Sequence, residues 1–234
     1  DREGEVGVGR EDNRYQTRST GWRGRVQTVL GLNHSVALET SVRRESYLPK
    51  AYLQQVQQFE SDRWIVAGRA GADWLLPGRR GIFSSSASVE HQRSHTYEES
   101  PFKFSTLAPD TTTGRTLVNL RAGLRLDISP GVFLKANLGR SRRAPGFYEL
   151  FGDRGGVIGN TDLVPERGVT WDAGFRAQWE EPDVLVEAAY FDQRYTDLIQ
   201  FVQFSQGVGR AQNIGKARVR GVETMASTRW FGRW

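Results

Sequence analysis

The sequence predicts an all-β protein: an antiparallel transmembrane β-barrel wall of about nine strands, with short turns at one end and long loops at the other. Three observations predict it. Apolar and polar residues alternate over unusually long stretches, the connections alternate between short and long, and Trp and Tyr gather near both ends of those stretches. A mean hydropathy of −0.55 would average out as a soluble protein. A barrel strand, however, shows lipid only every second side chain, so its polar face cancels the apolar signal. No apolar run reaches the roughly 18 residues that a membrane helix needs.

The strands follow in order along the chain. Val26, Thr28, Leu30 and Leu32 alternate with Arg25, Gln27 and Gly31, and Val36, Leu38, Thr40 and Val42 with Glu39, Ser41 and Arg43. Trp64, Val66, Gly68, Ala70, Ala72 and Trp74 face away from Arg69 and Asp73. A serine-rich strand is expected from Ile82 to about Tyr97. Thr116 to Ile128 sets Val118, Leu120, Ala122, Leu124, Leu126 and Ile128 against Asn119, Arg121, Gly123, Arg125 and Asp127. Val132, Leu134, Ala136 and Leu138 oppose Lys135 and Asn137.

The clearest strand is Gly168 to Glu180. Val169, Trp171, Ala173, Phe175, Ala177 and Trp179 share one face, and Thr170, Asp172, Gly174, Arg176, Gln178 and Glu180 the other. Val184, Val186, Ala188 and Tyr190 then oppose Glu187, and Val222, Thr224, Ala226, Thr228 and Trp230 oppose Glu223, Ser227 and Arg229. Six alternate apolar positions cover about 11 residues; at ~3.3 Å each and a tilt of roughly 45° they rise about 25 Å, the height of a lipid-facing band. A soluble sandwich strand is usually nearer 5–6 residues. Only Ala51 to Phe59 has a helical look.

Short turns are expected near Leu32–His34, at Pro77–Gly81, at Ser129–Gly131 and at Glu181–Asp183, and a fifth begins at Phe231–Gly232. Between them lie long polar segments: roughly Leu48–Ser61, Glu98–Thr113, Arg142–Arg167 and Gln203–Asn213. Trp74, Trp179 and Trp230 fall on the apolar face at the short-turn end, and Trp22, Trp64, Trp171 and Tyr190 at the long-loop end. Two such belts are expected because these amphipathic rings settle at membrane interfaces.

Composition removes several functions. Without cysteine there are no disulfides, thiol nucleophiles or thiolate metal sites. The net charge of +5 comes mainly from arginines scattered along the chain, which argues against nucleic acid as a partner. His91 and His95 share a strand face about 13 Å apart, too far for one ion, and His34 stands alone, so no metal or cofactor is expected. Gly7-Val8-Gly9 lacks the strand-turn-helix setting of a phosphate loop. No Ser-His-Asp set is local in sequence, so an enzyme has no support. The charged start, Asp1 to Glu5, is no secretory leader, and any leader is expected outside this sequence.

From Arg142 onward the residues carry more than a pattern. Arg143, Pro145, Phe147, Glu149, Leu150, Phe151 and Gly152 are followed by Gly159, Asn160, Leu163, Pro165 and Glu166. After the Gly168–Glu180 strand come Phe191, Asp197, Leu198 and Ile199, then Asn213, Ile214 and Ala217, then Gly221 and Glu223. This succession over about 80 residues resembles the TonB-dependent outer-membrane receptor family in its R-x-P-x-(F/Y)-x-E-L-(F/Y)-G loop, G-N-x-x-L-x-P-E, D-L-I, N-I-x-x-A and G-x-E pieces. The resemblance implies a 22-stranded barrel in the bacterial outer membrane, of which residues 1–234 would be a part, without the plug domain, the TonB box or the remaining strands. It implies TonB-energised uptake of a scarce, bulky ligand such as an iron-siderophore, haem or cobalamin. The partners implied are outer-membrane lipid, a small-molecule ligand (a metal chelate) and the TonB protein, reached through the plug. Both outermost strands would then have bare edges, and the isolated chain is not expected to insert stably.

The residues also have their own readings. Pro145 and Pro165 lack a donor and should lie outside paired strand. Gly152, Gly155, Gly156 and Gly159 read as a flexible outer loop, Asn160 as a side-chain-to-backbone turn, and Gly221 as a bulge or the close approach of another backbone. Glu166 and Glu223 read as structural. Phe147, Tyr148, Phe151 and Arg154 are the candidate ligand contacts. The inner face should carry Arg25, Arg69, Arg121, Arg125, Lys135 and Arg176 beside Glu39, Asp73, Asp127, Asp172 and Glu187. Alternation alone also fits a soluble β-sandwich binding module, and alternation with loop asymmetry fits a passive porin or autotransporter-like barrel.

Overall fold

The computed structural model describes residues 13–31, 33–51, 60–97, 111–152, 157–181, 183–205 and 208–229. Nine long strands alternate in direction: β1 (Asn13–Leu30), β2 (His34–Ala51), β3 (Glu60–Leu75), β4 (Gly81–Tyr97), β5 (Thr111–Ser129), β6 (Val132–Arg143), β8 (Glu166–Trp179), β9 (Asp183–Ser205) and β10 (Val208–Arg229). Each pairs antiparallel with the next. The link from β6 to β8 holds a short helix, α1 (Phe147–Phe151), and a two-residue strand, β7 (Val157–Ile158), which pairs parallel with Gly209–Arg210 of β10. The architecture is the expected open meander of barrel strands.

Register turns the alternation into two faces, because residues directly opposite each other point the same way. Arg25 pairs with Glu39, Glu39 with Arg69, Arg69 with Ser88 and Ser88 with Asn119, a wholly polar row. One position along, Leu38 pairs with Ala70, Ala70 with Ala87 and Ala87 with Leu120 on the opposite face. Large apolar residues stay exposed on that second face, among them Trp22 at 64%, Leu38, Val66, Leu138, Trp171 and Trp179. A one-residue slip would exchange the faces, so the register is strongly specified. The rows run oblique to the turns. Leu38 lies four positions from the short-turn end of β2 at His34, whereas Val169, in the same row, lies ten from the short-turn end of β8 at Trp179. That drift is the stagger of tilted strands.

The first four short turns fall between strands where the sequence places them, and the fifth, at Phe231–Gly232, lies outside the described residues. A single 3-10 turn, Pro77–Arg79, joins β3 to β4, and Pro130-Gly131 joins β5 to β6. Gly131 has φ 77° and its carbonyl accepts the Gln178 N–H at 2.8 Å. A Cβ there would stand 2.1 Å from the Gln178 carbonyl oxygen, so only glycine fits.

The aromatics on the apolar face have close neighbours. Trp74 stacks on Phe83 (5.4 Å) at the short-turn end, and Trp171 packs on Tyr190 (5.3 Å) toward the long-loop end. The Trp22 ring lies over Gly24, and Trp64 sits beside Arg44, whose guanidinium is 5.8 Å from its ring. Trp230, Arg154, Gly155, Gly156 and the helix-like residues 52–59 lie outside the described residues.

Three expectations change. Gln203–Asn213 is the tip of a strand hairpin: β9 runs to Ser205 and β10 restarts at Val208, so their backbone groups stay paired despite the polar composition. The register shifts near the tip lie between Val208 and Gly209 and between Asn213 and Ala217, not at Gly221. What approaches Gly221 is the Phe191 ring, 3.1 Å from where a Cβ would be. Finally, Gly152 and Gly159 are buried rather than in a flexible outer loop. Gly152 bridges Ile158, and a Cβ on Gly159 would meet the Leu150 carbonyl oxygen at 2.4 Å.

Candidate functional site

A buried apolar cluster forms at the long-loop end, where the β6–β8 link folds back across the polar face. Pro145 cannot continue the β6 ladder, so the chain leaves the sheet there and forms α1. Phe147, Leu150 and Phe151 of this turn, with Leu163, pack on Tyr47 from β2 and Ala211 from β10. Tyr47 and Phe147 stack at 5.5 Å with rings 6° from parallel. Arg63 of β3 lies 4.5 Å from the Phe147 ring and donates through Nη2 to the Pro145 carbonyl at 2.9 Å. Burial lowers the Arg63 pKa from its ordinary value, with the ring and carbonyl taking the place of water. Arg115 of β5 donates to the carbonyls of Thr161 and Leu163.

Five of the motif residues, Arg143, Glu149, Asn160, Glu166 and Asn213, act as clamps for this link. Arg143 pairs with Glu149 (Nη2–Oε1 3.0 Å) and with Glu166 (Nε–Oε2 2.6 Å). Glu149 also accepts the Gly146 N–H at 2.6 Å, capping α1, and Glu166 accepts the Ile199 N–H at 2.8 Å. These groups lie beyond the apolar band. There the Arg143 hydrogen bonds hold the Glu166 carboxyl below the usual carboxylate range, and the two carboxylates raise the Arg143 pKa. Asn160 accepts the Asp162 N–H, the expected side-chain turn, and donates to the Ala211 carbonyl at 2.8 Å. Asn213 of β10 accepts the Val164 N–H (2.8 Å) and donates to the carbonyls of Val164 (2.9 Å) and Asp197 (2.7 Å).

These contacts separate the candidate ligand contacts. Phe147 is 8% exposed and Phe151 1%, both inside the loop's own core, where their rings anchor the link. Tyr148 is half-buried, with its ring edge-on to Phe201 at 5.4 Å. Glu166 pairs with Arg143 and Glu223 with Ala189, on separate parts of the polar face. Leu163 and Pro165 lie in the segment fixed by Arg115 and Asn213, Ile214 is exposed beside Asn213, and Ala217 pairs with Tyr195 at the end of the register shift. Sequence reasoning missed Tyr47, Arg63 and Arg115. The signal available was polar side chains on a face where the neighbouring rows are also polar, which does not set them apart.

Below the loop the polar face forms an open trough of about 700 Å³, lined by Arg25, Arg69, Arg121, Glu39, Asp73 and Asn137 among others. Asp73 accepts hydrogen bonds from Ser35 (3.0 Å) and Ser84 (2.6 Å), Asn137 donates to Asp172 (2.8 Å), and Lys135 pairs with Glu187. The expected inner-face charges therefore do share one surface. It is a wet, mixed-charge wall that could pack against a polar domain or pass a hydrophilic solute. Among the described residues, no group of three or more His, Asp or Glu side chains could hold a metal ion.

The family profile described as "TonB dependent receptor-like, beta-barrel" matches residues 4–234. No curated protein matches the chain. Among solved structures, the chain is similar to the copper transporter OprC (17% identity, TM-score 0.78, 95% of this chain against 36% of that one). It is also similar to the FrpB iron transporter of Neisseria meningitidis (16%, TM-score 0.66, 95% against 35%). A third is the Serratia marcescens hemophore receptor HasR, solved with its hemophore HasA and heme (17%, TM-score 0.63, 94% against 41%). The chain thus spans roughly 36–41% of two of these proteins and 35% of the other.

Proposed function

Because the chain belongs to the TonB-dependent receptor family, as a stretch of its β-barrel in the outer membrane, we propose that it forms one wall of a transporter that takes up a scarce, bulky chelate. The ligand class is an iron-siderophore, haem or cobalamin, and the energy comes from the TonB protein acting through a plug domain seated against the polar face. The work is transport, with no bond-making step assigned to these residues.

The observation that carries this reading is the pairing of a hydrophilic trough with a loop folded back over its outer end. A wall lined by Arg25, Glu39, Arg69 and Asp73 suits a polar domain that must dock and release, because each group keeps hydrogen-bond partners in water. A loop that is pinned rather than waving presents a defined surface to a large ligand, which lowers the ordering cost of binding.

The test is uptake. The source bacterium and a strain lacking this gene are fed labelled ferric siderophore, haemin and cobalamin in turn under iron or cobalamin limitation. One of the three should fail to enter the deletion strain, and should also fail in a strain lacking the TonB protein. Unchanged uptake of all three would refute the reading, and uptake that needs this gene but not TonB would make the barrel passive.

A further inference from the structure

Among the described residues, the buried cation of the wall has no anion. Arg63 is 6% exposed, and Arg115, two strands away, is half-buried. Neither makes an ion pair with a described residue. Their acceptors are neutral: Ser94 Oγ, 2.9 Å from Arg63 Nε, and the link carbonyls of Pro145 (2.9 Å), Leu163 (2.5 Å) and Thr161 (2.8 Å). The carboxylates that act on Arg63 are engaged elsewhere, Glu45 with Arg43 at 3.0 Å and Glu90 with Gln92. Elsewhere on the same face Arg143 and Lys135 each hold a carboxylate directly. Buried charges are ordinarily paired, because neutral acceptors return less than desolvation costs.

Register gathers the unpaired groups into one patch of the polar face. Arg63 lies opposite Ser94 and Ser94 opposite Thr113; in the next polar row Gln92 lies opposite Arg115. Neighbours in such a row have Cβ atoms about 5 Å apart, within the reach of a guanidinium. The Thr113 hydroxyl oxygen is buried and has no partner. Burial lowers the Arg63 pKa, Glu45 offsets this in part, and the like charge of Arg115 lowers it further, so the two cations feel each other. Each uses only two of its five N–H groups in these contacts. Two cations lacking an anion beside a hydroxyl lacking a partner make the donor set of an oxyanion site.

We propose that Arg63, Thr113 and Arg115 form an oxyanion site that the β6–β8 link fills with its own carbonyls, and that a phosphate or carboxylate group arriving from outside displaces the link there. Charge-assisted hydrogen bonds are roughly twice as strong as those to neutral acceptors. The guanidinium fork also takes two oxygens of such a group at once, where each carbonyl offers one. The anion therefore outcompetes the carbonyls of Pro145, Thr161 and Leu163, and the returning half of the link loses both bonds from Arg115.

The test uses the whole receptor containing these strands, purified in nonionic detergent, with amide hydrogen exchange read at Val164. Inorganic phosphate and malonate are each titrated against sodium chloride at matched ionic strength. Either oxyanion should accelerate exchange saturably, on the order of tenfold, and chloride less than about twofold. The one that acts at lower concentration tells whether the site prefers phosphate or carboxylate. Arg115→Gln should abolish the response, and Arg115→Lys should keep part of it. Should Arg115→Gln free the link before any anion is added, line broadening in phosphorus NMR reads phosphate binding directly; it is expected with the unaltered receptor and lost with Arg63→Gln or Arg115→Gln. An equal response to chloride, slower exchange with both oxyanions, or a response or phosphate binding that survives Arg115→Gln overturns the proposal. No transported ligand enters the measurement, so its failure leaves the uptake reading standing.

Discussion

Replacing Asn213 with alanine should release the β6–β8 link without disturbing the sheet. The Asn213 side chain makes three hydrogen bonds to backbone: one accepted from Val164 and one donated to each of the Val164 and Asp197 carbonyls, all between 2.7 and 2.9 Å. Each contributes about 1 kcal/mol net. The freed groups are near the surface and regain water, so the loss is about 2–3 kcal/mol. That raises the undocked population of the link roughly thirty- to 150-fold. The assay is amide hydrogen exchange over residues 157–165 in the intact receptor, where the Asn160 and Val164 N–H groups are protected by Glu149 and Asn213. Exchange there should accelerate by about that factor while β5 and β6 amides are unchanged. Acceleration of less than about threefold would refute the view that Asn213 is a clamp. Asn213→Asp sharpens the test, because it places a carboxylate oxygen against two carbonyl oxygens. The charged form is disfavoured there, so the new carboxyl titrates above its usual value. Docking is then retained below that value, where the group is protonated and donates, and lost as pH rises.

Leu150→Ala empties the centre of the loop core (Leu150 is 1% exposed) and should cost about 2–5 kcal/mol of local stability, read as proteolytic nicking between β6 and β8 while the barrel stays intact. The Glu166 pKa is lowered by Arg143, so its contribution is present above the unfolded carboxylate value of about 4.3 and is lost as pH falls through the depressed one. Exchange of the Ile199 amide should accordingly stay slow at pH 5 and speed up only below about pH 4. Gly131→Ala forces a Cβ within 2.1 Å of the Gln178 carbonyl oxygen and should lower the thermal midpoint; Gly131→Asn should lower it too, since tolerance of a positive φ does not relieve that contact. In lipid with brominated chains, the emission of Trp22, Trp171 and Trp179 should be quenched; protection of these rings would place the apolar face against protein.

The two faces were legible because alternation is a local property, and a strand of a dozen residues repeats the statement at every second position. Gly168 to Trp179 needed no partner to be read, and its register with β6 and β9 follows from matching faces. The short turns were legible for a related reason: Pro130-Gly131 permits little else. Strand ends were not. β9 continues through Gln200, Gln203 and Ser205, polar residues that lie beyond the apolar band, where pairing no longer depends on lipid. The loop core was half legible. Phe147, Leu150 and Phe151 stand out as apolar residues in a polar segment, but apolar residues in an outer loop can face a ligand or the loop's own interior. What decides between them is Tyr47, about a hundred residues earlier, together with Ala211 beyond β9. The arginines looked scattered because neighbours on adjacent strands are far apart in sequence, and only register gathers Arg140, Arg194 and Arg218 into one row.

The β6–β8 link touches Tyr47, Arg63 and Arg115 toward one side of the sheet and Ile199, Ala211 and Asn213 toward the other. Geometrically it is a chord drawn across an arc of strands, and a chord of fixed length fixes the radius. The outer rim of this wall therefore cannot flatten or tighten while both sets of contacts hold. Widening the mouth and undocking the link are a single coordinate, so whatever releases the loop also releases the span of the opening.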